Sequence, residues 1–272
     1  MPLLLFSLAD LANAQRATGV TRFYASPSGN NANNCVSEAK ACRTIQAAYD
    51  KMIAGYDFQG QSPTIHLADG TYADATVDAI EMPIGAHAVT IMGNCTGPSF
   101  GANRDRVVVR PPPGKAAFWV QDGATLIVSC MKIEGEDAVA FQGRQHIILD
   151  AQWITFGKLK QAFAMTDHSI VNFGGDNTIS GDMTVFASAY YLSTIRFMGK
   201  TTISRPVKIS YFVQSYLKSL VEFEPRASFV NPKSVSGAKY YVWREGSFVA
   251  NGLPLPGDVP GKNVDGTGRF YE

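Results

Sequence analysis

The chain has 272 residues, of which 46 % are hydrophobic and 17 % charged, and a formal net charge of +1. This near-neutral balance excludes the polybasic surface of a nucleic-acid-binding protein, and the apolar content is sufficient for a sizeable buried core. The 25 glycines and 14 prolines are typical of a chain built from many short strands and turns.

The first residues resemble a degraded signal peptide. Leu3 to Leu8 form a short apolar run, and Ala12 to Ala14 has the small-x-small form that a signal peptidase needs. The positive n-region is missing and Asp10 interrupts the apolar core, so an ordinary capping segment is the alternative. We expect residues 1–20 to direct export, which would make the protein secreted, periplasmic or attached to the cell surface. No run reaches the ~20 apolar residues of a membrane span.

A strand, a loop and a helix are predicted next, within residues 21–60. Residues 22–34 begin as a strand and continue as a loop rich in Ser, Gly and Asn. Thr44 is a suitable N-cap, and Gly55 is a stop signal. Between them, apolar residues at i, i+3, i+4 and i+7 predict one helical stripe: Ile45, Ala48, Tyr49 and Met52.

Beyond Gly60 the pattern changes to short apolar runs that end at Gly, Asn, Asp or Pro. The clearest are Thr64–Leu67, Val89–Met92 and Val107–Arg110. Because no amphipathic helix separates them, a doubly wound parallel sheet is excluded. A sandwich, a barrel or a solenoid remains.

Self-similarity distinguishes these three architectures. Five related pentads start 22, 23, 24 and 26 residues apart, at Ala124, His146, Ser169, Ser193 and Ser219. In the last three, apolar residues alternate with Asn172, Arg196 and Glu222, so one set should face inward and the other outward. Further apolar patches precede and follow each pentad. Each unit therefore predicts one coil of a three-sided parallel β-helix, with seven or eight coils over residues 61–250.

Two details follow from this alignment. Asp150 aligns with the inward residues Val128 and Phe173, where a lone carboxylate is costly, so we expect a local bulge to turn it outward. Residues 251–272 are rich in Gly and Pro and are expected to form a terminal extension or an assembly segment that supports oligomerisation, not another coil.

The four cysteines lack the spacing of a metal site, since no CxxC occurs. Cys35 and Cys42 flank one short loop, whereas Cys95 and Cys130 are placed to bridge neighbouring coils. An even number in an exported chain favours disulfides, and four buried thiols are the alternative.

Three segments carry a family resemblance: TIQAAYDKM (44–52), TIHLADGTY (64–72) and VTIMGN (89–94). Together they resemble the opening of pectin-lyase-like proteins. That resemblance implies an all-β, single-stranded, right-handed parallel β-helix with a short N-terminal capping helix. It does not imply one activity, because the superfamily includes lyases, hydrolases, esterases, tailspikes and adhesins.

The enzyme branches of this superfamily match unequally. EDAVAFQG (136–143) is similar to a segment of pectin methylesterases, but Glu136 or Asp137 stands where their glutamine is expected, and the following coil lacks their Gln-Asp dipeptide. The Gly-Asp-Asp and Gly-His-Gly motifs of the glycoside hydrolases are absent. Pectate lyases follow a looser pattern, with acidic calcium ligands and a basic residue on one face, and this alternative remains open.

The turn before each pentad carries the candidate binding residues. They are Asp122, Arg144, His146, Asp167, His168, Tyr190, Tyr191 and Tyr216, beside Lys218. Aromatic rings stack on sugar C–H surfaces and planar polar groups pair with hydroxyls, so this row suits a polysaccharide; an ordinary solvated row of turns is the alternative. In a lyase, Arg144 would assist proton abstraction, Asp122 or Asp167 would act as acid or metal ligand, and His168 is a further candidate.

A second row contains the acids Glu134, Glu136 and Asp137, followed by Lys158 and Lys160 on the next coil. The acids are candidate Ca²⁺ ligands or an acid/base pair. Ion pairs between coils are the simpler interpretation, and no cofactor is expected. Our leading hypothesis is an extracellular polysaccharide-binding module, tail-like or adhesin-like; the alternatives are a polysaccharide lyase and a non-catalytic spacer.

Overall fold

The computed structural model describes residues 15–16, 19 and 21–271 of the chain. The predicted signal peptide lies almost entirely outside the described residues. Within the described part, no helix has the length and apolar character needed to cross a membrane.

The described residues form strands β1 to β25 and one α-helix, α1 (Ile45–Gly55), numbered in chain order. The strands up to the centre of the chain are β1 (Gln15–Arg16), β2 (Arg22–Ala25), β3 (Tyr56–Asp57), β4 (Thr64–Leu67), β5 (Gly70–Ala73), β6 (Val77–Ala79), β7 (Val89–Met92), β8 (Val107–Arg110), β9 (Ala116–Val120), β10 (Thr125–Ile133) and β11 (Val139–Gly143). The following strands are β12 (Ile148–Phe156), β13 (Gln161–Met165), β14 (Ile170–Gly174), β15 (Asp176–Ile179), β16 (Met183–Ala189), β17 (Thr194–Phe197), β18 (Lys200–Ile203), β19 (Val207–Tyr216), β20 (Leu220–Phe223), β21 (Ser228–Val230), β22 (Val235–Trp243), β23 (Ser247–Val249), β24 (Lys262–Asn263) and β25 (Arg269–Tyr271).

The strands stack in parallel into a β-solenoid of about nine turns. We name its three faces sheets A, B and C. Sheet A contains β2, β4, β7, the first halves of β10 and β12, then β14, β17, β20, β23 and β25. Sheet B contains β5, β8, the second halves of β10 and β12, then β15, β18 and β21. Sheet C contains β6, β9, β11, β13, β16, β19, β22 and β24.

The inner residues of the pentads form one continuous column, as the repeat predicts. Leu126 pairs with Leu149, which pairs with Val171, and the column continues through Ile195 to Val221. Each of the five residues exposes no more than 1 % of its surface. Burial on this scale, repeated on every coil, is the main stabilising term of the fold, since each coil covers the apolar interior of its neighbour.

Asp150 corrects one part of the predicted alignment. It pairs with Ile127 and Asn172, both outward, and the inward position belongs to Ala151. The pentad of this coil therefore begins at Ile147, one residue later than predicted, and no bulge is needed to expose the carboxylate. The sequence missed this shift because an apolar run, Ile147 to Leu149, fits either register.

The N-terminal cap agrees with the prediction. The hydroxyl of Thr44 accepts a hydrogen bond from the backbone N–H of Ala47, and α1 buries the four residues of the predicted stripe. Strand β2 already pairs with β4, so the first coil lies before residue 61. At the other end β24 pairs with β22 and β25 with β23, so the stack also continues into the segment expected as a tail.

Both predicted disulfides are present, Cys35–Cys42 and Cys95–Cys130. The second joins the long loop 93–106, which connects sheets A and B, to the corner of β10. Arg104 fastens the same loop across sheet B: its guanidinium donates to the hydroxyls of Thr155 and Thr178 at 3.0 and 2.7 Å and to the Asp176 carbonyl at 2.6 Å.

Candidate functional site: the turn row and the outer face of sheet C

The turns from sheet C to sheet A place the candidate residues in a regular row. From Gln145 onward each turn has two consecutive residues with positive φ, for example Asp167 and His168 at 56° and 62°. Non-glycine residues adopt this left-handed conformation at a cost, which is compensated here by hydrogen bonds between turns. The N–H of His146 donates to the Asp167 carbonyl, and that of His168 to Tyr191, at 3.0 Å each.

The turn row consists of three columns, which the sequence pattern alone did not separate. The column entering the turn contains Gln121, Arg144, Thr166, Tyr190, Tyr216 and Trp243. The first turn position contains Asp122, Gln145, Asp167, Tyr191, Leu217 and Arg244. The second turn position contains Gly123, His146, His168, Leu192, Lys218 and Glu245.

Within this row the two histidines meet directly. The rings of His146 and His168 stack with centroids 4.8 Å apart and planes 6° from parallel. The acids are more distant from each other, because Gln145 lies between Asp122 and Asp167 in their column. Two coil spacings of ~4.8 Å separate those carboxylate-bearing residues by about 10 Å along the axis. The structure therefore does not bring Asp122 and Asp167 together as a pair.

Arg144 is held against the outer face of sheet C. Its Nε donates to the side-chain oxygen of Gln121 at 2.8 Å, and its guanidinium carbon lies 5.8 Å from the ring centroid of Trp119. Both contacts orient the guanidinium over the sheet, where its remaining N–H groups can meet a ligand.

Two tyrosines of the row stack on each other, and further aromatic rings surround them. The rings of Tyr190 and Tyr216 stack at a centroid distance of 4.5 Å and an interplanar angle of 2°. Tyr241 lies 5.6 Å from Tyr216 and is tilted by 39°, and Trp243 lies 6.2 Å from it at 86°. Tyr211 adds an edge contact to Tyr241 at 5.3 Å. We call these five residues the aromatic cluster.

The aromatic cluster shelters polar groups on the outside of the solenoid. Ser188 and Gln214 are outward residues of sheet C, yet only 1 % and 8 % of their surface is exposed. The Ser188 hydroxyl and the Gln214 side-chain oxygen are 3.0 Å apart. Burial, together with the neighbouring hydroxyls of Tyr190 and Tyr241, raises the pKa of Tyr216, so its hydroxyl stays protonated and can donate.

The sequence pattern indicates Tyr190 and Tyr216 of this cluster but not the other three. Tyr211 lies within β19 and Tyr241 within β22, and Trp243 is the last residue of β22. The repeat predicted strands there but indicated no binding role for these side chains. Their signal was the series of outward positions on successive coils: Tyr211, Tyr241 and Trp243 face the same side as Tyr216.

Tyr191 lies apart from the cluster. It is 54 % exposed, and with the 49 % exposed Leu192 it borders a shallow depression of about 610 Å³ at the C-terminal end of the turn row. Asp167 and His168 line the near side of this depression, and Arg244 and Glu245 line the far side. The turn row is thus partly concave there.

The second row of charges is paired between and within coils. Lys158 contacts Glu136, and Lys160 contacts Asp137 at 3.5 Å. Glu134 lies 2.6 Å from both Lys132 and Arg110. Burial raises the pKa of Glu134, but the hydrogen bonds and charges of these two cations outweigh it and lower the pKa overall.

Each of the three acids proposed as calcium ligands therefore already has a cationic partner. Within the described part of the chain, no three or more His, Cys, Asp or Glu side chains are grouped to hold a metal ion.

These observations define the chain as a parallel β-solenoid with an aromatic outer face beside a polar row of turns. Comparison with protein-family models, with curated proteins and with solved structures gives no match. The pectin-lyase-like resemblance accordingly stays a prediction within this fold class.

Proposed function

We propose that this solenoid is an extracellular module that binds a polysaccharide along its side, over the outer face of sheet C. The observation that carries the proposal is the aromatic cluster: five half-buried rings on three successive coils, with Arg144 and Trp119 further along the same sheet. Because the coils repeat at ~4.8 Å, neighbouring coils offer similar groups at short intervals along the axis.

The chemistry of the cluster suits sugar hydroxyls and C–H surfaces. Tyr190 and Tyr216 stack on each other, so one face of each ring is already covered. Trp243, nearly perpendicular to Tyr216, adds a ring in a different orientation. Tyrosine and tryptophan combine an apolar body with a polar end, which suits a ligand that alternates C–H and O–H groups.

The disulfides support the extracellular part of the proposal, since such bonds persist in oxidising compartments. Binding has more support than lyase chemistry at the same face. Among the described residues, the side chain of Arg144 forms a hydrogen bond to Gln121 and no ion pair with Asp122 or Asp167. A lyase would need an acid or a metal close to that guanidinium.

Affinity electrophoresis and calorimetry with a panel of neutral and acidic polysaccharides test this proposal. At least one glycan should bind, and Tyr190→Ala with Tyr216→Ala should weaken it tenfold or more, since each ring contact contributes ~1 kcal/mol and tenfold corresponds to ~1.4 kcal/mol. Tyr271→Ala, a 50 % exposed tyrosine on sheet A, is the matched control and should bind normally.

The proposal is wrong if no glycan binds the native protein, or if the double variant binds as tightly as the control. Unsaturated sugar ends appearing in the same incubations with Ca²⁺ would instead favour the lyase hypothesis.

A further inference from the structure

A second concave site lies on the outside of sheet A, at the N-terminal end of the solenoid. It is a cleft of about 450 Å³, within the range of small-molecule sites. Its floor is a ladder of three outward side chains on successive coils, Tyr24, His66 and Met92. The rings of Tyr24 and His66 stack at 5.4 Å and 23°.

One wall of the cleft is the loop closed by the Cys35–Cys42 disulfide. This loop carries Glu38 and is anchored to the floor, because the Tyr24 N–H donates to the Cys35 carbonyl at 2.7 Å and the Cys42 N–H donates to the Tyr24 carbonyl at 2.9 Å. The carboxylate of Glu38 is near enough to affect the imidazole of His66 electrostatically.

The opposite wall is the start of the loop tied down by Cys95–Cys130. Asn94 donates to Asp69 at 2.7 Å, and its side-chain oxygen accepts from the hydroxyl of Thr96 at 2.6 Å. Asn103 supports Thr96 with a further hydrogen bond of 3.0 Å. This wall is therefore a connected polar network whose geometry is set before any ligand arrives.

The charge of the cleft is negative. Its lining includes the carboxylates of Glu38 and Asp69 and no lysine or arginine. Arg106, outside the lining, lies 3.8 Å from Asp69 and partly balances it. Among the described residues, Glu38 has no cation within ion-pair distance. Burial, and then the charge of Arg22, lowers the pKa of His66, so the imidazole is neutral at pH 7.

We propose that this cleft binds a small hydroxylated ring that carries a protonated amine, an amino sugar. The ammonium group pairs with Glu38, the hydroxyls meet the network of Asn94 and Asp69, and the apolar face of the ring lies against Tyr24 and Met92. Uronic acids are disfavoured, because their carboxylate would face two others. The inference does not depend on polysaccharide binding at sheet C, which lies on another face.

The test is an NMR titration that follows the imidazole signals, of which the chain has only four sets. His66→Gln assigns the signals of His66. Glucosamine, N-acetylglucosamine, glucose and galacturonic acid are added separately at about pH 6.5, below the pKa of a typical amine. Glucosamine should shift the His66 signals in a saturable manner, at least tenfold more tightly than the other three sugars.

Variants locate the interaction. Glu38→Gln, at an exposed position that leaves the core intact, should weaken glucosamine binding tenfold or more. Glu81→Gln, an exposed carboxylate outside the cleft, is the matched control and should leave it unchanged. Tyr190→Ala with Tyr216→Ala should also leave it unchanged, which separates this inference from the proposed function.

The inference is overturned if glucosamine leaves the His66 signals unmoved, if glucose or galacturonic acid binds as well as glucosamine, or if Glu38→Gln binds glucosamine with native affinity.

Discussion

The side-chain amide of Asn172 donates a hydrogen bond of 2.7 Å to the carboxylate of Asp150 on the preceding coil. The two side chains lie on the outer surface of the solenoid, although the adjacent residues Leu149 and Val171 are fully buried. Successive residues of a strand therefore point alternately into the core and to the outer surface.

This alternation gives the first prediction. Asp150→Asn should lower the free energy of unfolding by no more than about 1 kcal/mol, because a single half-buried hydrogen bond on the outer surface changes. Ala151→Asp, its neighbour, should cost several kcal/mol, because it places an unpaired carboxylate in the core. Urea denaturation of both variants measures the difference. Similar losses in the two variants would contradict the observed register.

Arg104 provides the second prediction. It is half-buried and donates three hydrogen bonds that fasten loop 93–106 to sheet B. Arg104→Ala should destabilise the protein by about 2 kcal/mol and expose the loop to proteases. Arg106→Ala is the control in the same loop: its ion pair with Asp69 is long and exposed, so the expected loss is about 0.5 kcal/mol or less. Equal protease sensitivity of the two variants would refute the role given to Arg104.

The two disulfides should contribute unequally to stability. Cys95–Cys130 closes a loop with a sequence separation of 35, and Cys35–Cys42 one of 7. Because each disulfide lowers the entropy of the unfolded chain, replacing the pair by serine should lower the free energy of unfolding by about 4 kcal/mol for Cys95–Cys130 and about 2 kcal/mol for Cys35–Cys42. Denaturation of the two double variants under oxidising conditions gives this comparison. A larger loss from the shorter loop would show that chain entropy is not the main term.

The pKa of His66 makes stability depend on pH. Burial and the charge of Arg22 lower this pKa below the ordinary value of 6.5, so the unfolded state binds the proton more readily than the folded state. Stability should therefore fall as pH drops below about 6.5, and His66→Gln should remove part of that decline. The imidazole pKa is measured by NMR in the folded protein, and a value above 6.5 would reverse the predicted direction.

Much of the solenoid was predictable from local patterns. The predicted strands Thr64–Leu67, Val89–Met92 and Val107–Arg110 and the buried stripe of α1 occur where the residues indicated. The column from Val171 to Val221 is the predicted one. These predictions succeeded because a β-helix repeats one burial pattern at nearly constant spacing, so that neighbouring coils in sequence are also neighbours in space.

The candidate site was only partly predictable, since the column of a turn residue depends on register. The sequence placed these residues in one row of turns without separating its columns, and the structure stacks His146 on His168 and Tyr190 on Tyr216. A shift of one residue in an apolar run moves a side chain to a different column. The run fits both registers, so its sequence does not indicate which one is adopted.

The sequence by itself determined the architecture, because periodic burial of apolar side chains is a local property that every coil repeats. Only the tertiary structure decided which surfaces can bind. The aromatic cluster unites residues from three coils, and the cleft at Tyr24 and His66 needs two loops that disulfides hold in place. Such sites depend on distances between segments far apart in the chain, which are set by packing and cross-links and not by any local pattern.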